Sequence, residues 1–266
     1  MSILSWLFCV LVTILIGHYG RGSGQDEEAK VKVSAAKNVF ILGGQSNMAG
    51  RGGVRDGKWD GNVPPECKSN PLISRFNAQL QWAEAREPLH ADIDVGKTCG
   101  VGPGMAFANE AVRARIGEVG LVPCAIGGTR ISNWTRGSPL YNNLVRRATE
   151  SVKDGSGTIR ALVWYQGESD TVREEDAVAY KANFQRFILD LRSDLRIPSL
   201  LIIQVALASG EGKFTEKVRE AQLGIKLSNV KCVDAKGLQL KEDKLHLTTA
   251  SEVHLGIKLA RAYLSH

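Results

Sequence analysis

The feature that most constrains the fold is the regular alternation of short apolar runs with longer amphipathic segments. The apolar runs have the length of buried strands, and the segments between them repeat apolar residues at the three- and four-residue spacing of one helix face. Strands that alternate with helices are typical of a parallel sheet covered by helices on both faces. The predicted strands are 38–42, 120–126, 159–165, 199–207 and 230–233, and the predicted helices lie within 102–116, 139–152, 174–195, 214–227 and 249–264.

Composition indicates one globular domain. The chain has 266 residues, of which 43% are hydrophobic and 23% are charged, which is enough apolar material for a full core. No internal repeat or linker divides residues 31–266, so we expect a single domain there. The formal net charge is +6, but the basic residues are scattered rather than clustered, and nucleic-acid binding is therefore not expected.

The first 30 residues predict a signal peptide followed by a flexible lead-in. Residues 3–16 form an almost unbroken apolar run that is shorter than the roughly 20 residues needed to span a bilayer. Small and polar residues follow it, as in a signal peptide, although no basic residue precedes it and an uncleaved signal anchor is the alternative. We expect a secreted protein of the extracellular space or cell wall, without stable membrane insertion.

Four cysteines lie beyond this leader. An even number in a secreted chain permits disulfides, and we expect Cys67 to pair with Cys99 because both lie in the Gly/Pro-rich stretch 51–101. Cys124 and Cys232 lie in strand-like runs and are expected to be buried thiols. No spacing of Cys or His indicates a metal site, and no metal or cofactor is expected.

A glycine-rich turn ends the first predicted strand and presents Ser46. Glycine permits a positive φ and a close approach of a ligand to the backbone, as at Gly43-Gly44 before this serine. In a parallel sheet such a turn lies at the carboxyl edge, where ligands bind. Ser46 is therefore a candidate nucleophile. The alternative is that it serves only as a turn residue or helix N-cap.

A histidine and an aspartate near the end of the chain could activate this serine. His246 lies just before the last predicted helix, and Asp243 precedes it by three residues. Imidazole is a suitable base for a serine hydroxyl because its pKa lies near neutrality, and a carboxylate can fix its tautomer. The alternative is a simple ion pair in a loop.

Acyl transfer also needs donors for a developing oxyanion. The candidates are the backbone N–H groups of Ser46 and of Gly127 or Gly128, and the side-chain amide of Gln166 after the third predicted strand. The two glycines could also be ordinary turn residues. Glu168 could act as an acid, as a second orienting group or as a structural hydrogen-bond acceptor, and we favour the structural role.

Four motifs carry a resemblance to a known superfamily. They are Gly44-Gln45-Ser46-Asn47-Met48, Gly127-Gly128-Thr129, Trp164-Tyr165-Gln166-Gly167-Glu168-Ser169-Asp170 and Asp243-x-x-His246-Leu247-Thr248. In this order they resemble the carbohydrate esterases of the SGNH hydrolase superfamily, and in particular the branch of plant probable carbohydrate esterases, acetylxylan esterases and sialate O-acetylesterase-like proteins. The resemblance spans residues 38–264.

The resemblance implies a flavodoxin-like three-layer α/β/α sandwich with a parallel five-stranded sheet. It also implies that Ser46 is the nucleophile, His246 the base and Asp243 its partner. Gly128 and Gln166 match the family's oxyanion region. One departure is Lys244, where a glycine is common between the aspartate and the histidine.

The sequence therefore favours a serine esterase that removes O-acetyl groups from a polysaccharide or glycoconjugate, so the expected partner is an acetylated carbohydrate. One alternative is a non-catalytic carbohydrate-binding protein on the same fold. Another is a GDSL-type lipase or esterase for longer acyl chains, which we rank lower because no long apolar lid is present. The N-glycosylation sequon Asn133-Trp134-Thr135 is expected to carry little glycan, since a glycan there would crowd the predicted substrate-binding cleft.

Overall fold

A computed structural model describes residues 36–266, so the predicted signal peptide lies outside the described residues. The strands are β1 Lys37–Gly44, β2 Val54–Arg55, β3 Lys58–Trp59, β4 Ile73–Phe76, β5 Trp82–Glu84, β6 Val119–Pro123, β7 Gly157–Tyr165, β8 Leu201–Ala206 and β9 Val230–Asp234. The helices are α1 Ser46–Ala49, α2 Pro103–Arg113, α3 Pro139–Glu150, α4 Glu174–Asp194, α5 Thr215–Leu223 and α6 Thr249–Leu264. No helix in this part of the chain is both long enough and apolar enough to span a bilayer.

A seven-stranded sheet forms the middle layer of an α/β/α sandwich. Its order is β5-β4-β6-β1-β7-β8-β9, and every neighbouring pair is parallel except β4 with β5. Strand β1 lies at the centre between β6 and β7. The four residues 39–42 of β1 are fully buried, which is why they form an unbroken apolar run rather than an alternating one.

Aromatic contacts attach helices to both faces of the sheet. On one face, the ring of Phe40 in β1 meets Phe107 of α2 and Tyr263 of α6 edge to face, at centroid distances of 4.9 and 4.8 Å. On the other face, Trp164 of β7 packs on Phe187 of α4 at 4.7 Å. The central strand is therefore covered on both sides, and the carboxyl edge of the sheet is left for the loops.

The five predicted parallel strands are all present and adjacent in the sheet, but the sheet has two further strands. All five predicted strands are present as β1, β6, β7, β8 and β9. Strands β4 and β5, and the separate β2–β3 hairpin, lie in the stretch 51–101 that shows little periodicity in the sequence. They contain only two to four residues each, which is too short to display the two-residue period of a strand.

Aromatic side chains in this stretch hold the added strands on the core. Phe76 of β4 is buried, and its ring lies 5.0 Å from that of Trp82 of β5. Trp82 Nε1 donates a hydrogen bond to the carbonyl oxygen of Ser151 at 3.2 Å. These rings fix an edge of the sheet.

The expected disulfide between Cys67 and Cys99 is wrong, because both cysteines are free and buried. Each sulfur has its own surroundings. Cys67 belongs to the hydrophobic core beside α2, whereas Cys99 Sγ accepts a hydrogen bond from Arg51 Nη1 at 3.5 Å. Cys124 is a buried thiol as expected, but Cys232 is exposed because β9 is an edge strand.

Candidate active site

The carboxyl ends of β1, β6 and β7 bring three predicted loops together. Gln45 N–H donates to Tyr165 O at 2.8 Å, and Ile126 N–H donates to Gly44 O at 3.0 Å. Gly44 has a φ of +130°, and a side chain on it would collide with the carbonyl oxygen of Tyr165. Only glycine suits this position, and the chain then turns directly into α1, whose first residue is Ser46.

The side chains of Ser46, His246 and Asp243 form a continuous chain of hydrogen bonds. His246 Nε2 lies 2.9 Å from Ser46 Oγ, and His246 Nδ1 lies 2.8 Å from Asp243 Oδ2. These are ordinary hydrogen-bond distances. The serine and the histidine are 200 positions apart in the chain, yet the fold brings them into direct contact.

A tight loop holds Asp243 under the imidazole. Asp243 Oδ1 accepts hydrogen bonds from the backbone N–H groups of Leu245 at 3.0 Å and His246 at 2.9 Å. Between them, Lys244 has a φ of +54°, in the left-handed region that favours glycine. The departure from the family's glycine therefore leaves the loop conformation intact.

The pKa values of Asp243 and His246 are both lowered, for different reasons. Burial would raise the pKa of Asp243, but hydrogen bonds from the backbone and imidazole of His246 and from the N–H of Leu245 lower it to about 2. Burial lowers the pKa of His246 below its usual value, and the cations Arg51 and Lys241 add to this effect, while Asp243 opposes it. At neutral pH the aspartate is thus ionised and the imidazole is largely neutral, as a general base must be.

Asn47, which sequence analysis did not single out, ties the histidine loop to the end of β1. Its Nδ2 donates to Glu168 Oε1 at 2.8 Å, and its Oδ1 accepts the N–H of Leu247 at 3.0 Å. The signal was present in the sequence, because Asn47 directly follows Ser46 within the first motif.

Glu168 is fully buried behind this asparagine. Its Oε1 accepts the bond from Asn47, while its Oε2 has no hydrogen-bond partner among the described residues. Burial raises the pKa of Glu168 to about 7, against the lowering effect of the bond from Asn47. Its carboxyl group lies beneath the loops and does not line the cleft above Ser46.

Gln166 also points into the protein rather than to the serine. Its Nε2 donates to Thr129 O at 2.8 Å and to Asp170 Oδ2 at 2.6 Å. The structure therefore does not bring the side-chain amide of Gln166 to the cleft. It does bring Gly127 and Gly128 there, and Gly128 has a φ of +72° with open space on its side-chain face.

A small cleft opens above the serine. Its volume is about 250 Å³, and it is lined by Ser46, Arg51, Lys97, Gly127, Gly128, Glu211, Leu245 and His246. No hydrogen bond within residues 36–266 uses the N–H of Ser46, Gly127 or Gly128, so these donors are available to a ligand. The charged residues Arg51, Lys97 and Glu211 were not predicted, because they come from loops without a recognisable motif.

Comparison with known proteins shows the family of this chain. A family model described as carbohydrate esterase, sialic acid-specific acetylesterase, matches residues 36–265. The chain belongs to this carbohydrate esterase family. The match covers all four motifs and supports a carboxylic ester hydrolase.

Relatives of this carbohydrate esterase support the same assignment. A probable carbohydrate esterase of Arabidopsis thaliana is 57% identical over 253 residues, which are 91% of this chain and 96% of the relative. A crystal structure of an Arabidopsis thaliana protein is 59% identical and has a TM-score of 0.84, over 87% of this chain and 99% of that chain. The structure of NanS shares the fold at a TM-score of 0.69 and 15% identity, over 86% of this chain and 97% of that chain.

Proposed function

We propose that this chain is a serine esterase that removes O-acetyl groups from a carbohydrate through an acetyl-enzyme. The observation that carries the proposal is the chain of hydrogen bonds from Asp243 through His246 to Ser46 at the floor of the cleft. Membership of the carbohydrate esterase family supports the ester and the sugar, and the three side chains supply a nucleophile, a base and an orienting carboxylate.

In the first half of the reaction, Ser46 Oγ attacks the carbonyl carbon of the acetyl ester and its proton passes to His246 Nε2. Nδ1 remains hydrogen-bonded to Asp243, whose negative charge stabilises the imidazolium. When the tetrahedral intermediate collapses, the bond from the carbonyl carbon to the sugar oxygen breaks. The imidazolium returns its proton to that oxygen, and the free hydroxyl leaves.

In the second half, a water molecule replaces the sugar. His246 takes a proton from the water as its oxygen attacks the acetyl carbon of the acyl-enzyme. The bond to Ser46 Oγ then breaks, Oγ regains a proton from the imidazolium, and acetic acid departs and releases its remaining proton to solvent as acetate. The enzyme returns to its starting state, so one water is consumed for each acetyl group removed.

Backbone donors beside the serine are suited to hold the oxyanion in both halves. The N–H groups of Ser46 and Gly128 face no acceptor within residues 36–266, and both residues line the cleft. Donors that are fixed before the reaction need no reorganisation when charge develops on the carbonyl oxygen. We assign the oxyanion to these two groups, with Gly127 next to them.

The cleft is too small to enclose an acylated sugar chain. Its volume of about 250 Å³ lies below the roughly 300–1,000 Å³ of sites that enclose a drug-sized ligand. An acetyl group fits into such a space while most of the sugar stays outside it. A chain-length series of aryl esters distinguishes an acetylesterase from an esterase for longer acyl chains.

The decisive experiment measures acetate release from a panel of acetylated polysaccharides by the wild type and by Ser46→Ala. We expect Ser46→Ala to lose at least about 1,000-fold in kcat, as in other enzymes with this arrangement of residues. Ser74→Ala is a matched control, because Ser74 lies in β4 and its Oγ has no hydrogen-bond partner among the described residues.

Acetate release by Ser46→Ala at the wild-type rate would refute the mechanism. A wild type that binds glycans but neither releases acetate nor reacts with a fluorophosphonate probe would favour the non-catalytic binding protein instead.

A further inference from the structure

A buried ion pair lies beside the serine and has no part in the hydrogen-bond chain. Arg51 Nη2 donates to Asp94 Oδ2, and the two side chains are only 6% and 4% exposed. Arg51 Nη1 also donates to the carbonyl oxygen of Gly50 at 2.9 Å. Burying two charges is costly unless the protein gains something from their position. A pair this deep therefore calls for an explanation beyond stability.

Gly127 shows how close this pair comes to the serine. A Cβ atom on Gly127 would lie 2.7 Å from Arg51 Nη2, 3.2 Å from Asp94 Oδ2 and 3.5 Å from Ser46 Cβ. The guanidinium, the glycine backbone and the serine thus meet at one point in the wall of the cleft. A side chain at position 127 would collide with the guanidinium.

The pair presents its positive end to the cleft. Arg51 lines the cleft, whereas Asp94 does not. A guanidinium has five N–H groups, and its contacts with Asp94, Gly50 and Cys99 leave donors free. Asp94 therefore fixes the guanidinium beside the cleft, and the donors that make none of these three contacts can serve a ligand there.

A positive group here could stabilise the oxyanion, which is the role that was predicted for the side-chain amide of Gln166. The amide of Gln166 is occupied by Thr129 and Asp170 and does not reach the cleft. The backbone N–H groups of Ser46, Gly127 and Gly128 remain for the oxyanion. A fixed cation in a water-poor site stabilises developing negative charge more strongly than it would in water.

We infer that Arg51, held by Asp94, stabilises the oxyanion in this esterase and that Asp94 is a positioning residue for it. The inference rests on the proposed function. In this proposal, the guanidinium donors that bind neither Asp94, Gly50 nor Cys99 donate to the acyl carbonyl oxygen. They act there beside the N–H groups of Ser46 and Gly128. The proposal also explains why position 127 has no side chain.

The charge of Arg51 also affects the pH dependence of activity, which gives a second way to test its role at the oxyanion. The groups that set the pKa of His246 are its burial, the Asp243 carboxylate and the cations Arg51 and Lys241, while Lys97 and Glu211 line the same cleft. Arg51 lowers the pKa of His246. The base must be neutral, so activity rises with pH through this pKa. Removing the cation moves the acid limb of kcat/KM to higher pH.

The test uses the double variant Arg51→Gln/Asp94→Asn, which removes both charges together and so avoids leaving one buried and unpaired. With an aryl acetate we expect kcat to fall about 100-fold, as when one oxyanion donor is removed, with KM close to that of the wild type. The acid limb of kcat/KM should move to higher pH. Arg51→Lys keeps the charge and should recover part of kcat and the wild-type acid limb.

The matched control is Arg75→Gln/Asp92→Asn. Arg75 in β4 pairs with Asp92, two residues from Asp94 on the same loop, but neither residue lines the cleft. This control loosens the loop without changing the charge beside the serine. We expect it to lower the melting temperature while leaving kcat and the acid limb as in the wild type.

Three outcomes would overturn the inference. Equal losses of kcat in the two double variants would mean that Arg51 only anchors the loop. A raised KM with unchanged kcat would mean that it binds the sugar. An unmoved acid limb together with unchanged kcat would mean that its charge does not act on the site. Ser46→Ala separates these from a failure of the proposed function, because only that failure leaves Ser46→Ala active.

Discussion

Lys244 carries a backbone conformation that its side chain disfavours. Its φ of +54° lets the N–H groups of the next two residues converge on the carboxylate of Asp243. A residue with a Cβ pays roughly 1–2 kcal/mol for this conformation, whereas glycine adopts it freely. The loop needs this geometry whichever residue stands there.

Lys244→Gly should therefore stabilise the protein modestly. Relief of strain outweighs the greater flexibility of an unfolded chain with glycine, so we expect a gain of about 0.5–1 kcal/mol in the free energy of unfolding. Urea denaturation measures it. Lys68→Gly is the control, because Lys68 is exposed with a φ of −62° and should only lose stability. A loss of stability in Lys244→Gly as well would contradict this explanation.

Single residues of the site could be predicted where one motif contains the chemistry. Ser46, Asp243 and His246 could be predicted to meet because a nucleophile, a base and a carboxylate are distinctive residue types at strand ends, and the structure places them in hydrogen-bond contact. Arg51 was not found, because its partner Asp94 is 43 positions away and no local pattern links them. Gln166 was found in its motif, but its orientation depends on Asp170 and Thr129, which periodicity does not reveal.

The strand-end loops behave as one unit because Asn47 joins three of them. It connects the start of α1 to Glu168 after β7 and to Leu247 before α6. A buried donor or acceptor that loses its partner costs roughly 1–3 kcal/mol. This asparagine therefore links stability to the position of His246, one residue before Leu247.

Asn47→Ala should lower both stability and turnover. We expect a loss of about 2–4 kcal/mol in unfolding free energy, because Leu247 N–H and Glu168 each lose a buried partner. Because the imidazole is held less firmly against Ser46, kcat should also fall, and steady-state kinetics on an aryl acetate will show it. Asn109→Ala is the control, since Asn109 bonds the carbonyl oxygens of Glu66 and Lys68 away from the cleft.

Asn109→Ala should lose stability and keep kcat. If Asn47→Ala also kept the wild-type kcat, the tether would have no bearing on catalysis.

Elements with a full hydrophobic run could be predicted, and short edge elements could not. Strand β1 is buried on both faces, so its sequence is unmistakably apolar. Strand β4 reads Ile-Ser-Arg-Phe and is fixed by contacts far along the chain, such as the pairing of Arg75 with Asp92. Edge strands of this length depend on tertiary contacts rather than on their own pattern.

At the scale of the whole molecule, buried carboxyl groups link stability to pH. Burial raises the pKa of Glu168 to about 7, while the same group in an unfolded chain titrates near 4.5. Between these values the folded chain keeps a proton that the unfolded chain has lost. Rising pH therefore favours unfolding through this group, and its contribution to stability falls from about pH 4.5 to about pH 7.

Glu168→Gln should remove this contribution, since an amide oxygen can still accept the bond from Asn47 and carries no proton to lose. The unfolding free energy of the variant relative to the wild type should rise on the order of 3 kcal/mol from pH 4 to pH 8. Urea denaturation at the two pH values gives the difference. Glu220→Gln, an exposed change in α5, is the control. A gap between Glu168→Gln and wild type that is the same at both pH values would contradict this linkage.

The 200 positions between Ser46 and His246 have a consequence for the growing polypeptide. Synthesis delivers the hydroxyl first and the imidazole 200 residues later, and α6, which packs on α2, follows the imidazole. The proposed mechanism therefore implies that a ribosome-bound chain shorter than this span hydrolyses no ester. Nascent fragments that stop before His246 should be inactive on an aryl acetate.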